Sequence, residues 1–428
     1  MSSEWTFAPL EDCLDALIDY RGKTPQKTGA GIPLITAKII KGGRIEKPTE
    51  FIAADNYDSW MRRGIPKEGD VVLTVEAPLG EVAQLGPEKI ALAQRVVTLR
   101  GKVGVLDNSY LLYLLQTEEM LEQLKSRATG TTVLGIKQSE LRKVALSLPP
   151  INQQKTAAQT LKALDDRITL LRETNSTLEA IAQALFKSWF VDFDPVRAKA
   201  EGLELEGMDA TTAALFPDTF EESELGVVPR GWMVRSLDSI ANYLNGLAMQ
   251  KFPPTDDGWL PVIKIAQLRK GNTVGADRAG RNIKTEYIIQ NGDVLFSWSG
   301  SLEVVIWCGG EGALNQHLFK VTSKDFPKWF YYLWTRQHLT DFQQTAASKA
   351  TTMGHIQRKH LTEAKVVVPP AEMLRSAGVL IEPLLERWLV NEEKAHTLTQ
   401  LRDALLPRLI SGQLRLPEAE AQIEDACV

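Results

Sequence analysis

Over the first 150 positions, short apolar runs are broken at regular intervals by turn residues. Val71-Val72-Leu73-Thr74-Val75, Val96-Val97-Thr98-Leu99 and Val144-Ala145-Leu146-Ser147-Leu148 read as strands, by β-branched content and flanking Gly and Pro. The runs at 293–296 and 366–368 have the same character further along. Helical spacing predicts a helix over 109–127 and a counterpart over 327–344. These pieces make a mixed α+β globule, written twice.

The pattern changes after Pro149-Pro150. Leu161, Leu164, Ile168, Leu171, Asn175, Leu178, Ala182, Leu185 and Trp189 follow one another at steps of three and four. That is a heptad seam sustained for roughly four repeats, with Asn152 as the expected N-cap. A polar residue inside such a seam, here Asn175, fixes register. A second helical stretch keeps a looser frame through Ile381, Leu384, Trp388, Ala395, Leu398, Leu405 and Leu409, interrupted at Asn391 and Arg402. Each seam needs a cover, and the economical solution packs the two helices against each other as an antiparallel coiled coil.

The chain is an internal repeat. Trp5 and Leu10 are echoed by Trp232 and Leu237, and Ile32-Pro33-Leu34-Ile35 by Leu260-Pro261-Val262-Ile263. Gly69-Asp70-Val71-Val72 returns as Gly292-Asp293-Val294-Leu295, and Ala93-Gln94 as Asn315-Gln316. Thr131-Thr132 and Ile136 return as Thr351-Thr352 and Ile356, and Leu148-Pro149-Pro150 as Val368-Pro369-Pro370. The matches keep their order at an offset between about 220 and 228 residues. The expected organisation is a globule over 1–150, a long helix over 151–194, a connecting segment over 195–228, a second globule over 229–370, a second long helix over 371–415 and a frayed tail over 416–428.

Charge modifies this picture. The net charge of −5 over 428 residues argues against nucleic acid as a partner. Its distribution reverses that: residues 225–370 carry 17 basic against 11 acidic side chains, whereas residues 151–224 carry 7 against 14. Acidity therefore sits in helix and linker, and the second globule is basic. Cys13, Cys308 and Cys427 are too scattered for a metal site or a disulfide framework, which fits a reducing cytoplasm. No signal peptide or membrane span is expected, and no metal.

Catalytic signatures are missing. Pro149-Pro150 and Pro369-Pro370 lack the preceding Asn or Asp and the following aromatic residue by which amino-methyltransferases hold a base. Gly22-Lys23-Thr24 resembles the end of a phosphate-binding loop, but Leu17 stands where its first glycine belongs. His355 and His360 lack the spacing of a zincin pair. A duplicated body without catalytic residues points to binding or scaffolding.

Several strings resemble one known family, the specificity subunits of type I restriction–modification enzymes. The stretch from Leu146-Ser147-Leu148-Pro149-Pro150-Ile151-Asn152-Gln153-Gln154-Lys155 into Leu164-Asp165-Asp166-Arg167-Ile168 is similar to that family's first conserved helical region. So is Phe186-Lys187-Ser188-Trp189-Phe190-Val191-Asp192-Phe193-Asp194-Pro195-Val196. Asp19-Tyr20-Arg21-Gly22-Lys23-Thr24-Pro25 and the stretch 221–231 look like the leads into its two target recognition domains, and Leu405-Leu406-Pro407-Arg408-Leu409-Ile410-Ser411-Gly412 like the end of its second helical region. The resemblance covers nearly the whole chain. It implies a non-catalytic subunit in which each globule reads one half of a bipartite site in double-stranded DNA. The helices would space the globules and dock methyltransferase subunits, two in number. S-adenosylmethionine would come with those subunits, and ATP and magnesium with a restriction/motor subunit. A stand-alone bipartite DNA-binding regulator and an enzyme with an irregular carboxylate cluster are the alternatives.

Loops carrying Lys or Arg beside hydroxyl and amide residues suit phosphates and base edges. The candidates for DNA contact are Lys38, Lys41, Arg44, Arg127, Thr131 and Lys137 in the first globule. In the second they are Lys264, Arg269, Lys270, Ser297, Trp298, Ser299, Lys349, Arg358 and Lys359.

Overall fold

The computed structural model describes residues 5–22, 24–205, 207–256, 258–348 and 354–427. It divides into two compact units, one of residues 1–168 with 397–428, the other of residues 169–396.

In the first unit the central sheet is antiparallel, in the order Leu14–Asp19, Val96–Gly101, Val71–Val75, Leu79–Gln84. All five residues of Val71–Val75 are buried, which explains why the strand reads as a continuous apolar run rather than an alternating one. A smaller sheet of Phe51–Ile52, Ile32–Ile35 and Ala91–Leu92 contains one parallel pair, Leu34 beside Ala91. Thr6–Pro9 pairs with Ala145–Leu148 and brings the two ends of the globule together.

The second unit repeats the plan of the central sheet, with a fourth strand, Ile288–Ile289, added to the smaller one. Its central order is Asn242–Asn245, Leu318–Thr322, Val294–Ser297, Val304–Ile306. Its smaller sheet again holds one parallel pair, Val262 beside Ala313. Met233–Ser236 pairs with Lys365–Val368. The Gly-Asp match has a mechanical reason. Asp70 accepts from the Lys67 amide and Asp293 from the Gln290 amide, both at 2.8 Å, and Gly69 and Gly292 turn the chain at φ of 82° and 85°.

Several expected boundaries are corrected. The helix over 109–127 is two helices, Asn108–Leu115 and Glu118–Ser126, because Thr117 caps the second by accepting from the Met120 amide. The helix over 327–344 likewise splits, into Lys328–Gln337 and Leu339–Ser348. Asn152 is not the cap of the long helix Ile151–Phe186 but lies in its first turn. Gln154 anchors that end instead: buried, it donates to the carbonyls of Val105 and Pro149, each at 2.9 Å, and accepts from the Asp107 amide at 3.0 Å. Residues 195–228 are not a bare connection. They form the helices Asp194–Ala200 and Ala210–Ala214 and the hairpin Phe220–Ser223 with Gly226–Pro229. A few apolar residues, too sparse to show a period, pin this segment: Val196, Phe216 and Val228 are buried in the core of the second unit. The tail expected to fray is a helix, Leu416–Cys427, with Pro417 in its first turn and Ala419 buried.

The second long helix is Ala371–Ile410. In the first unit Leu161, Leu164 and Ile168 are buried with Leu398, Leu405 and Leu409. In the second unit Leu171, Asn175 and Ala182 are buried, as are Ile381 and Ala395, while Leu178, Leu185, Leu384 and Trp388 are half-buried. Phe186 takes the inward position that the seam assigned to Leu185, and the helix widens over Lys187–Val191 into a π turn that keeps both Trp189 and Phe190 inside. The two interruptions of the second seam are partners. The Asn391 side-chain amide donates to Asn175 Oδ1 at 3.0 Å, and Asn175 donates to the Trp388 carbonyl at 3.0 Å. Arg402 Nη1 donates to Asp165 Oδ1 at 2.6 Å. Partners fall on the second helix as they rise on the first, the order of an antiparallel pair.

Both asparagines are buried, at 3% and 1% exposure. Asn175→Leu strands the Asn391 amide and is expected to lower stability by about 1–3 kcal/mol. The double replacement Asn175→Leu with Asn391→Leu is expected to recover most of that loss in chemical unfolding. Equal losses for the single and double variants would show that the pair is not coupled.

Candidate nucleic-acid interface

In both units the central strand of the main sheet runs out into a loop beside the turn that leads into its neighbouring strand. In the first unit the Val75 amide donates to the Arg95 carbonyl at 3.0 Å, and the Ile136 amide donates to the Val75 carbonyl at 3.0 Å. In the second, the Trp298 amide donates to the His317 carbonyl at 3.3 Å, and the Ile356 amide to the Trp298 carbonyl at 2.9 Å. Thr74 and Ser297 hold the following turn in the same way, their hydroxyls accepting from the amides of Glu81 and Glu303 at 2.9 and 2.8 Å. Backbone and cap are shared, so the positions correspond: Val75 to Trp298, Glu76 to Ser299, Gln94 to Gln316, Arg95 to His317.

On this common frame the side chains differ. Glu76 and Arg95 form an ion pair at 3.6 Å with both groups about half exposed. Beside them Asp19 binds the Arg21 guanidinium, which also donates to the Ile136 carbonyl at 2.6 Å. In the second unit Ser299 Oγ lies 3.0 Å from His317 Nδ1, and the Gln316 side-chain nitrogen 3.3 Å from His317 Nε2. The amide nitrogen can only donate, so Nε2 accepts and Nδ1–H donates to Ser299. Half-exposed Trp298 packs beside His317 and donates its indole N–H to Asn245 Oδ1 at 2.8 Å.

The sequence-derived candidates fall into four groups. Ser297 is removed: it is fully buried, and its hydroxyl is spent inside the turn, donating to the Ser301 carbonyl at 2.7 Å. Trp298, Ser299 and Arg358 are brought together, the Arg358 guanidinium lying over the Phe319 ring and donating to the Tyr243 carbonyl at 3.0 Å. Lys41, Arg127, Lys264 and Arg269 have acidic partners in Glu46, Glu140, Asp277 and Glu303, and Arg44 turns to Asp165. Lys38, Thr131, Lys137, Lys270 and Lys359 are exposed, and Lys349 lies outside the described residues. Glu76, Arg95, Asn245, Gln316 and His317 were missed as candidates. For Arg95, Gln316 and His317 the repeat held the signal, since Ala93-Gln94 against Asn315-Gln316 marks the turn that carries them.

Burial pushes the Cys308 thiol up to about 12, with Glu392 and Glu393 adding to the effect, so it is no nucleophile. Among the described residues no helix is long and apolar enough to cross a membrane.

Two copies of one α+β binding body, joined through a pair of long helices and differing in the polar groups of one shared site, define a dual-recognition protein. A family profile described as the type I restriction modification DNA specificity domain matches the chain twice, over residues 3–180 and 229–406. The chain therefore belongs to the specificity subunits of type I restriction–modification enzymes, their non-catalytic members. It is 27% identical to the MjaIX specificity subunit of Methanocaldococcus jannaschii over 92% of this chain and 90% of that one. To the HindI specificity subunit of Haemophilus influenzae it is 26% identical, over 76% and 82% of the two chains. The fold is that of the crystal structure of a type I S subunit from M. genitalium, with a TM-score of 0.59 and 16% identity over 95% of this chain and 96% of that one. The stand-alone regulator is not favoured by these matches.

Proposed function

We propose that each globule binds one half of a bipartite site in double-stranded DNA, and that the two long helices dock methyltransferase subunits, two per chain, and through them a restriction/motor subunit. The observation that carries the DNA reading is the shared frame with unlike side chains: one architecture used twice, with two sets of hydrogen-bonding groups, suits two different half-sites. The docking reading is supported by large apolar side chains left exposed on the long helices, Leu170, Ile181, Val379, Leu380 and Val390. Such residues on helices suit a partner that adds helices of its own. S-adenosylmethionine, ATP and magnesium belong to the partner subunits, and the assembly works in the cytoplasm. The test is to map methylated adenines in a host that carries this chain with its methyltransferase. A two-part sequence with a fixed, unread gap is expected; methylation of one continuous sequence, or none, would sink the reading.

A further inference from the structure

The geometry points to the paired positions Glu76–Arg95 and Ser299–His317 as the residues that make the two half-sites different. The inference rests on the bipartite reading above and deepens it. Three observations carry it. First, the positions correspond through backbone hydrogen bonds and not merely through sequence: Val75 and Trp298 each take their partners from the same places in the frame. Second, the residues that maintain the frame keep their type or geometry, with Thr74 and Ser297 capping the same turn and Gln94 matched by Gln316. Third, the side chains carried at the ends of this shared frame are chemically unlike. An acid–guanidinium pair in one unit becomes a hydroxyl–imidazole pair in the other.

The chemistry of the two pairs assigns what they read. Arg95 is about half exposed, with the Glu76 carboxylate 3.6 Å to one side of its guanidinium. A guanidinium so held presents two parallel N–H groups, which match O6 and N7 of guanine in the major groove. His317 has no such fork. Its Nδ1 is committed to Ser299 and its Nε2 to Gln316, so it presents a ring edge and fixes the Gln316 amide beside it. A held amide offers one donor and one acceptor, the pattern that adenine N7 and N6 complete. The first globule therefore discriminates for guanine at one position through Arg95, and the second does not use that contact.

The test uses the complete complex of this chain with its methyltransferase, read out by sequencing methylated sites in host DNA. Arg95→Lys keeps the charge and the stem at a half-exposed surface position but removes the fork. The expected result is a fall of roughly 5- to 150-fold in guanine preference at one position of the first half-site, with every base of the second half-site unchanged. The transplant of Glu76→Ser with Arg95→His is expected to shift the preference at that same position. An unaltered recognition sequence overturns the assignment. So does a uniform loss of methylation at all sites by the assembled complex, which marks Arg95 as a phosphate contact. Should the transplant fail to assemble, Arg95→Lys decides alone. A wild-type complex that yields no two-part sequence defeats the broader reading before any variant is made, so the two failures are distinguishable.

Discussion

Asp165→Ala is expected to be among the most damaging single replacements on the helix pair, lowering stability by about 2–4 kcal/mol. One carboxylate serves three elements of the first unit. Its Oδ1 accepts from Arg402 at 2.6 Å and its Oδ2 from the Tyr113 hydroxyl at 2.8 Å, and Arg44 approaches to 3.9 Å. Burial pushes the Tyr113 phenol well above its usual range, and the carboxylate beside it pushes the same way, so the hydroxyl stays protonated and donates. Removing the carboxylate leaves a guanidinium whose side chain is only 16% exposed to the more exposed Asp403 alone of its two acidic partners. The residual exposure of Arg402 and Asp165 keeps the expected loss below that of a fully buried pair. Arg402→Met in the Asp165→Ala background is expected to recover part of the loss, since the poorly compensated charge is then gone. Chemical unfolding checks this; a single variant within about 0.5 kcal/mol of the parent, the range of ordinary surface changes, would show that water replaces the carboxylate without penalty.

The sequence disclosed the repeat, the α+β class and the two long helices because each is carried by a pattern many residues long. Heptad spacing marked Leu161, Leu164, Ile168, Leu171, Asn175 and Ala182, all of which are buried. It failed at Leu185, where Phe186 turns inward instead, just before the helix widens into a π turn over Lys187–Val191 that no breaking residue announces. Asn391 and Arg402 read as interruptions, and only the pairing of the helices shows them as partners of Asn175 and Asp165. A polar residue in a seam is meaningless until its opposite number is known. The order within the connecting segment was hidden for a related reason. Val196, Phe216 and Val228 share a core with the aromatic cluster of Phe190, Trp232 and Trp329, assembled from distant parts of the chain. Selecting lysines and arginines by composition gathered several whose charges are already partnered; Arg95, itself ion-paired with Glu76, is singled out only by its correspondence to His317 in the repeated turn. Ser297 looked like a contact because it sits beside Trp298; its hydroxyl instead closes the turn that presents its neighbours.

Exchange of residues 1–150 for the matching part of a relative is expected to replace one half of the methylated sequence outright and leave the other half intact. The bases read by a globule depend on side chains at its loops, and the central sheet that holds them is complete within residues 14–101. Each mismatched base pair in a site costs about 1–3 kcal/mol, roughly additively for separate positions. Two mismatches already come to about 2–6 kcal/mol, enough for the parental half-site to go unmethylated. The structure adds a condition. The globule is tied to the helices through Tyr110, whose hydroxyl donates to the Ile410 carbonyl at 3.0 Å, and through Tyr113 on Asp165. The Asp107 amide and the Val105 carbonyl likewise hold Gln154. The donor segment must therefore supply both tyrosines, or receive them by substitution. A chimaera that lacks them is expected to lose methylation altogether, and restoring the tyrosines is expected to return it with the donor's half-site. That recovery separates a broken joint from a failed reader. If the restored chimaera methylates the parental sequence, reading does not reside in the globule; if both half-sites change together, the two globules do not read independently, and the division of labour between them is wrong.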